Sequence, residues 1–154
     1  MQVLKHELFF ENDEVLSTHI QLVPIVRYLA LNRALLEQSL QVAKVPPPVC
    51  ADIILAVDEA ISNVMEHSLS EKDSHENLSI FIDMRVDKKS IKITIQDPGT
   101  SFNPLTLKAP DLGRHIRSGN RGGLGVYIIK KIMDSLSYEY ADGRNCLTLE
   151  KILN

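Results

Sequence analysis

Residues 49–67 read VCADIILAVDEAISNVMEH, and this stretch decides the fold. Wound as a helix at about 100° per residue and counted from Ile53, it gathers Cys50, Ile54, Val57, Ile61 and Val64 into an apolar arc of about 100°. Asp52, Glu59 and Asn63 fall together at about 240–280°, and His67 near 320°. Glu59 and Asn63 are therefore stacked one turn apart on a polar stripe. Asp58 and Glu66 flank the apolar arc on its other side. The helix is opened by Pro46-Pro47-Pro48, which no preceding helix can cross.

Upstream, Leu4, His6, Leu8 and Phe10 alternate with Lys5, Glu7 and Phe9, which predicts a first strand over residues 3–10. From Leu22 to Ala43, Ile25, Val26, Leu29, Leu36 and Leu40 recur at three, four and seven. This spacing predicts one long amphipathic helix with Pro24 in its first turn. Downstream, Leu78, Ile80, Ile82, Met84 and Val86 form a strand that turns at Asp87-Lys88-Lys89-Ser90. Its partner carries Ile91, Ile93 and Ile95 on one parity, with Asp97 ending that apolar row.

The segment from Pro98 to Gly123 holds Gly99, Gly113, Gly119, Gly122, Pro104 and Pro110 without sustained periodicity, a length that marks a functional or disordered loop. Gly123 to Asp134 reads as a helix entered from a glycine cluster. Two last strands, Ser135–Tyr140 and Asn145–Ile152, are joined across Asp142-Gly143. The expected order is β, α, α, β, β, loop, α, β, β: an α+β fold, a two-layer sandwich of a mostly antiparallel sheet covered by helices on one face.

With 154 residues, 44% hydrophobic and 24% charged, the chain is expected to form a single domain over 1–154. Lys plus Arg is 17 against 20 for Asp plus Glu, a net charge of −3, so direct nucleic-acid binding lacks its usual electrostatic drive. The N-terminus is charged where a signal peptide is apolar. The stretch Ile20 to Leu36 is broken by Arg27, Asn32 and Arg33, short of a membrane span. A cytoplasmic protein without a membrane association is expected. Two cysteines signal no disulfide framework: Cys50 falls on the apolar arc and Cys146 within a strand, positions of small core residues rather than nucleophiles.

Three features stand in order: Glu59-x-x-x-Asn63 on a helix, Asp97-Pro98-Gly99 at a strand end, and Arg121-Gly122-Gly123-Leu124-Gly125 opening a helix. Taken singly, each also fits a solvated face, a turn or a glycine-rich connection. Together they resemble the GHKL ATPase superfamily, whose Bergerat-type nucleotide site is built from these motifs. The forms from Glu59 to His67, Asp97 to Pro104 and Arg121 to Gly125 are most similar to bacterial anti-sigma-factor serine kinases. No Gly-x-x-x-x-Gly-Lys-Ser/Thr occurs, and Ile128 stands where a dinucleotide fingerprint needs its third glycine.

The resemblance implies ATP/ADP and Mg²⁺ as ligands. Asp97 would accept the adenine amino group, and Gly99 would let the base approach the backbone. Gly122, Gly123, Leu124 and Gly125 would bring phosphates to a helix N-terminus. Asn63 would offer its carbonyl oxygen to Mg²⁺, which keeps several waters and takes phosphate ligands besides. Glu59 would act as general base or orient water, and Arg121 would stabilise charge on the transferring phosphoryl group. Lys108, Arg114, His115 and Arg117 make the intervening loop basic, as a nucleotide lid. His67 is expected to support the loop after its helix rather than to ligate metal.

Two departures from the family pattern stand out. Arg144-Asn145 replaces a common Gly-Thr pair, leaving Asn145 as a substitute polar contact to phosphate. Ser68-Leu69 replaces a small residue followed by an aromatic, a change expected to bear on packing rather than chemistry.

By resemblance, the chain is a protein-serine kinase and anti-sigma factor. It would phosphorylate a serine of an anti-anti-sigma (STAS-type) protein and sequester a sigma factor, with homodimerisation a family-level expectation. The alternative from another class is a nucleotide-gated binding module without turnover. A histidine-kinase catalytic domain is the weaker third reading, because no phospho-acceptor helical hairpin accompanies the first helix.

Overall fold

The computed structural model describes residues 4–12, 14–69, 78–110 and 124–153. Its sheet has six antiparallel strands: β1 (Leu4–Asn12), β2 (Val15–Leu22), β3 (Ile80–Val86), β4 (Ser90–Asp97), β5 (Ser135–Ala141) and β6 (Arg144–Ile152), in spatial order β1-β2-β3-β4-β6-β5. Among the described residues three helices, α1 (Leu29–Val42), α2 (Pro47–Asn63) and α3 (Gly125–Ile132), accompany the sheet in an α+β fold. None of the described helices is long and apolar enough to cross a membrane.

The chain begins with a hairpin where one strand followed directly by a helix was expected. Leu16, Thr18, Ile20 and Leu22 are buried on one parity of β2, a period of two that the helical reading from Leu22 passed over. Pro24 restricts the residue before it to extended backbone, and Ile25 is itself extended at φ −120° and ψ 128°. A 3₁₀ turn over Val26–Tyr28 then leads into α1. Val26, assigned by spacing to the apolar face, is 70% exposed, while Leu36 and Leu40 are fully buried.

The core lies between one sheet face and the helices. Ile82 and Met84 of β3, Ile91, Ile93 and Ile95 of β4 and Leu149 of β6 pack with Ile53, Val57 and Ile61 of α2, with Leu36 and Leu40 of α1 and with Ile129 of α3. Asp97 continues the isoleucine row of β4 and is 2% exposed, so a carboxylate sits where the apolar layer ends. Register places Asp97 directly opposite Asn145 of β6, on the same buried face.

Beyond Asn63 the helix widens into a π turn over Val64–Ser68, closed by the Leu69 amide donating to the Val64 carbonyl. The turn delivers Ser68 to the segment following β4: the Ser68 carbonyl accepts the Thr100 amide at 2.9 Å. The end of α2 and the end of β4 are thereby tied together.

Candidate nucleotide site

The described residues of the three motifs read from the sequence meet around the C-terminal half of α2. At one end, Glu59, Asn63 and the first residue of α3 meet. A Cβ placed on Gly125 would lie 2.5 Å from Glu59 Oε2 and 3.6 Å from Asn63 Oδ1, so the missing side chain is what lets the Glu59 carboxylate lie where it does against α3. α3 opens with no acidic residue in its own first turn and no side-chain cap, and the carboxylate beside its N-terminus is that of Glu59, carried by α2.

Burial pushes the Glu59 carboxyl above the ordinary range, and the neighbouring Asp58 and Glu66 carboxylates push it the same way. That is the shift a general base needs to operate nearer neutrality. Asp58 is also raised by burial, opposed by its ion pair with Arg33 of α1. This pairing leaves Glu59 as the carboxylate that faces Gly125.

Asn63 carries a buried amide nitrogen with no hydrogen-bond partner among the described residues. A buried orphaned amide costs free energy unless a ligand or solvent completes it. Its carbonyl oxygen faces Gly125 and is a hard oxygen donor of the kind Mg²⁺ takes beside waters and phosphate.

At the other end, Asp97 lies in a hydrogen-bonded cluster. Its Oδ1 accepts from the Ser68 hydroxyl, from the Gly99 amide at 2.9 Å and from Asn145 Nδ2 at 3.0 Å. Oδ2 receives no hydrogen bond among the described residues, which leaves it as the acceptor oxygen of the pair. Asn145 Nδ2 also donates to Thr100 O at 3.0 Å, while its Oδ1 accepts from the Phe102 amide at 3.0 Å and the Tyr138 hydroxyl at 2.6 Å. Carbonyl oxygens on one side and an amide N–H on the other fix which way this side chain points.

A cavity of 20 Å³ lies between the two ends, walled by Ala60 and Asn63 of α2, Asp97, Phe102, Tyr138 and Asn145. The His67 ring packs on Phe102 with centroids 4.7 Å apart, joining the end of α2 to the loop after β4.

Several expectations change. Asn145 was read as a phosphate contact, but it is hydrogen-bonded beside Asp97, because register sets it opposite the end of β4. Gly99 was read as making room for a base. A Cβ there would instead run into the Ser68 carbonyl and hydroxyl, so its missing side chain is required by the close approach of α2's end. Ser68, read as a packing position, is a buried donor to Asp97. Tyr138 was missed; its place on the strand hairpin with Asn145 was the available signal. Leu124 immediately precedes α3 and its carbonyl accepts the Ile128 amide at 2.9 Å. Arg121, Gly122 and Gly123, with Arg114, His115 and Arg117 of the basic loop, lie outside the described residues.

Comparison with known proteins is decisive at the level of family. The profile of the histidine kinase-like ATPase domain matches residues 24–151. The chain belongs to this family. It is 30% identical over 97 residues to the serine/threonine-protein kinase BtrW of Bordetella bronchiseptica, covering 63% of this chain and 66% of that protein. It is 34% identical over 90 residues to the serine-protein kinase RsbW of Staphylococcus aureus strain bovine RF122, covering 56% and 55%. The matches thus span between half and two thirds of these relatives' lengths. Among solved structures, the SiaB-SiaC complex from Pseudomonas aeruginosa includes a chain with the same fold at a TM-score of 0.56 and 13% identity, covering 84% of this chain and 85% of that one. The histidine kinase-like ATPase domain is thus a GHKL member similar to anti-sigma-factor serine kinases, with the α+β architecture expected of it.

Proposed function

We propose that this chain is an ATP-dependent protein-serine kinase and anti-sigma factor of a partner-switching pathway in the cytoplasm. The observation that carries the reading is the meeting of Glu59, Asn63 and Gly125 at one end of α2, with Asp97 closing the other end. Asp97 Oδ2 would accept the adenine amino group. Asn63 would hold Mg²⁺, which when bound neutralises phosphate charge.

The N-terminus of α3, with Leu124, Gly125 and the preceding Gly122-Gly123, would face the phosphates. In transfer, a serine hydroxyl oxygen of the partner forms a bond to the γ-phosphorus while the bond to the β–γ bridging oxygen breaks. ADP leaves with that electron pair. Glu59 takes the hydroxyl proton and Arg121 stabilises the charge that develops.

The serine belongs to an anti-anti-sigma (STAS-type) protein in this reading, and the sequestered partner is a sigma factor. The phosphate would add about −1.5 to −2 charges and break a close interface. A homodimer belongs to the same reading: β1 is the outer strand of the sheet and exposes Leu8, Phe9 and Phe10, a surface that a second copy would cover.

The test is transfer of labelled γ-phosphate from ATP to purified STAS-type proteins, with and without Mg²⁺. A phosphorylated serine in one of them, lost in Glu59→Gln, is the expected result. Nucleotide-dependent binding of that partner without any transfer would replace the kinase with a nucleotide-gated binding module.

A further inference from the structure

The cavity at the base end of the site is too small for its proposed ligand. At 20 Å³ it has room for about one water, which needs roughly 10–15 Å³, whereas small-molecule pockets run to roughly 300–1,000 Å³. Two of the groups that fill this space hang from a single atom. The backbone amide of Phe102 and the hydroxyl of Tyr138 both donate to Asn145 Oδ1, at 3.0 and 2.6 Å. The same hydroxyl lies 3.2 Å from Ser101 Oγ, so β5 is tied to the loop directly at Ser101 and, through Asn145 of β6, at Phe102.

The other half of the Asn145 amide is committed inward. Its nitrogen donates to Asp97 Oδ1 and to the Thr100 carbonyl and also lies 2.7 Å from Ser68 Oγ. One planar side chain, 4% exposed, thus connects the carboxylate to two aromatic residues of the cavity wall. Phe102 is braced from behind by the His67 ring, and Pro104, itself buried, completes the wall. Phe102 and Tyr138 are thus part of the wall that leaves room for about one water beside Asp97.

We propose that Asn145, acting through Tyr138 and Phe102, is a positioning residue that keeps the base end of the site shut and lets it open when those two donors leave its oxygen. The inference rests on the nucleotide reading given above and adds to it a gate. The apparent affinity for nucleotide is then the intrinsic affinity reduced by the fraction of molecules that are open. Weakening the closed state, without touching Asp97, raises that fraction.

Tyr138→Phe tests this directly, because it removes one hydroxyl and keeps the ring. Two quantities are measured on the full chain: exchange of the Phe102 amide hydrogen by NMR without nucleotide, and the rate of ADP association with Mg²⁺ by stopped flow. The gate predicts faster Phe102 exchange in the variant. It also predicts a wild-type association rate that levels off at high ADP, with the plateau raised at least roughly 2- to 10-fold in Tyr138→Phe, because the bond to Asn145 Oδ1 is lost together with the contact to Ser101 Oγ.

An unchanged plateau, or weaker ADP binding with unchanged Phe102 exchange, overturns the gate while leaving the nucleotide site intact. Absence of ADP binding in both folded proteins overturns the nucleotide reading and the gate with it. ADP binding by the variant alone supports both.

Discussion

Asp97 and Asn145 face each other across β4 and β6 with the amide nitrogen of one 3.0 Å from the carboxylate of the other, both on the buried face of the sheet. The pair is stable because every other group around it is complementary: Ser68 and Gly99 donate to the carboxylate, and Thr100 accepts from the amide. Asn145→Asp puts a second acceptor against Asp97 and the Thr100 carbonyl. It is expected to destabilise the fold by at least about 1–3 kcal/mol at neutral pH. The loss should shrink on acidification, when the two carboxylates can share a proton, and urea unfolding across pH reads both.

The two structural glycines of the site predict opposite phenotypes. Gly99→Ala drives a methyl group into the Ser68 carbonyl, a backbone atom that cannot step aside, and should cost roughly 1–3 kcal/mol of stability. Gly125→Ala meets the tip of Glu59, a flexible side chain that can swing away, and alanine is the better helix former. Thermal unfolding should therefore show Gly125→Ala near or above wild type, while phosphotransfer drops because Glu59 has left its position.

The raised Glu59 carboxyl predicts a pH dependence in both activity and stability. Phosphotransfer should fall as pH drops through a pKa above the ordinary value of 4.5, and Glu59→Gln should lose roughly 10²–10⁴-fold in rate. For stability the sign is set by the upward shift. Glu59 contributes fully below its unfolded pKa, and that contribution is lost as pH rises through the higher folded pKa. Glu59→Gln should consequently be more stable than wild type near neutral pH, with the gain vanishing in acid. Denaturant titrations at several pH values test the crossover.

Asn32 of α1 is completely buried, and neither of its amide atoms has a partner among the described residues. Asn32→Leu replaces an unsatisfied polar group with an apolar one of the same branching. It should stabilise the fold by about 1–3 kcal/mol. A calorimetric melting temperature at or below that of wild type would show that the buried amide is satisfied in solution.

The sequence made the functional layout legible wherever a periodic element carried it. The stripe on α2 gave Glu59 and Asn63, and parity along β4 gave Asp97, because helix and strand geometry fix the direction of a side chain. Reading was poorer where position depends on a partner element. β2 was hidden because its alternation of Leu16, Thr18, Ile20 and Leu22 runs into an apolar stretch with helical spacing, and only pairing with β1 and β3 distinguishes the two. Ser68, Tyr138 and the true surroundings of Asn145 depend on the π turn after α2 and on the register between β4 and β6. Neither has a local signature.

The most direct measurement is calorimetric titration of ATP and ADP, with Mg²⁺, into the wild-type protein and Asp97→Asn. The substitution keeps an oxygen to accept from Ser68, Gly99 and Asn145 and turns the other carboxylate oxygen into an amide donor. The fold should survive while the base loses its acceptor. The account predicts micromolar-range or tighter binding by wild type and a loss of about 10- to 100-fold in the variant, the cost of a hydrogen bond to a charged group. A folded wild type that binds neither nucleotide, or an Asp97→Asn variant that binds as well as wild type, would contradict it.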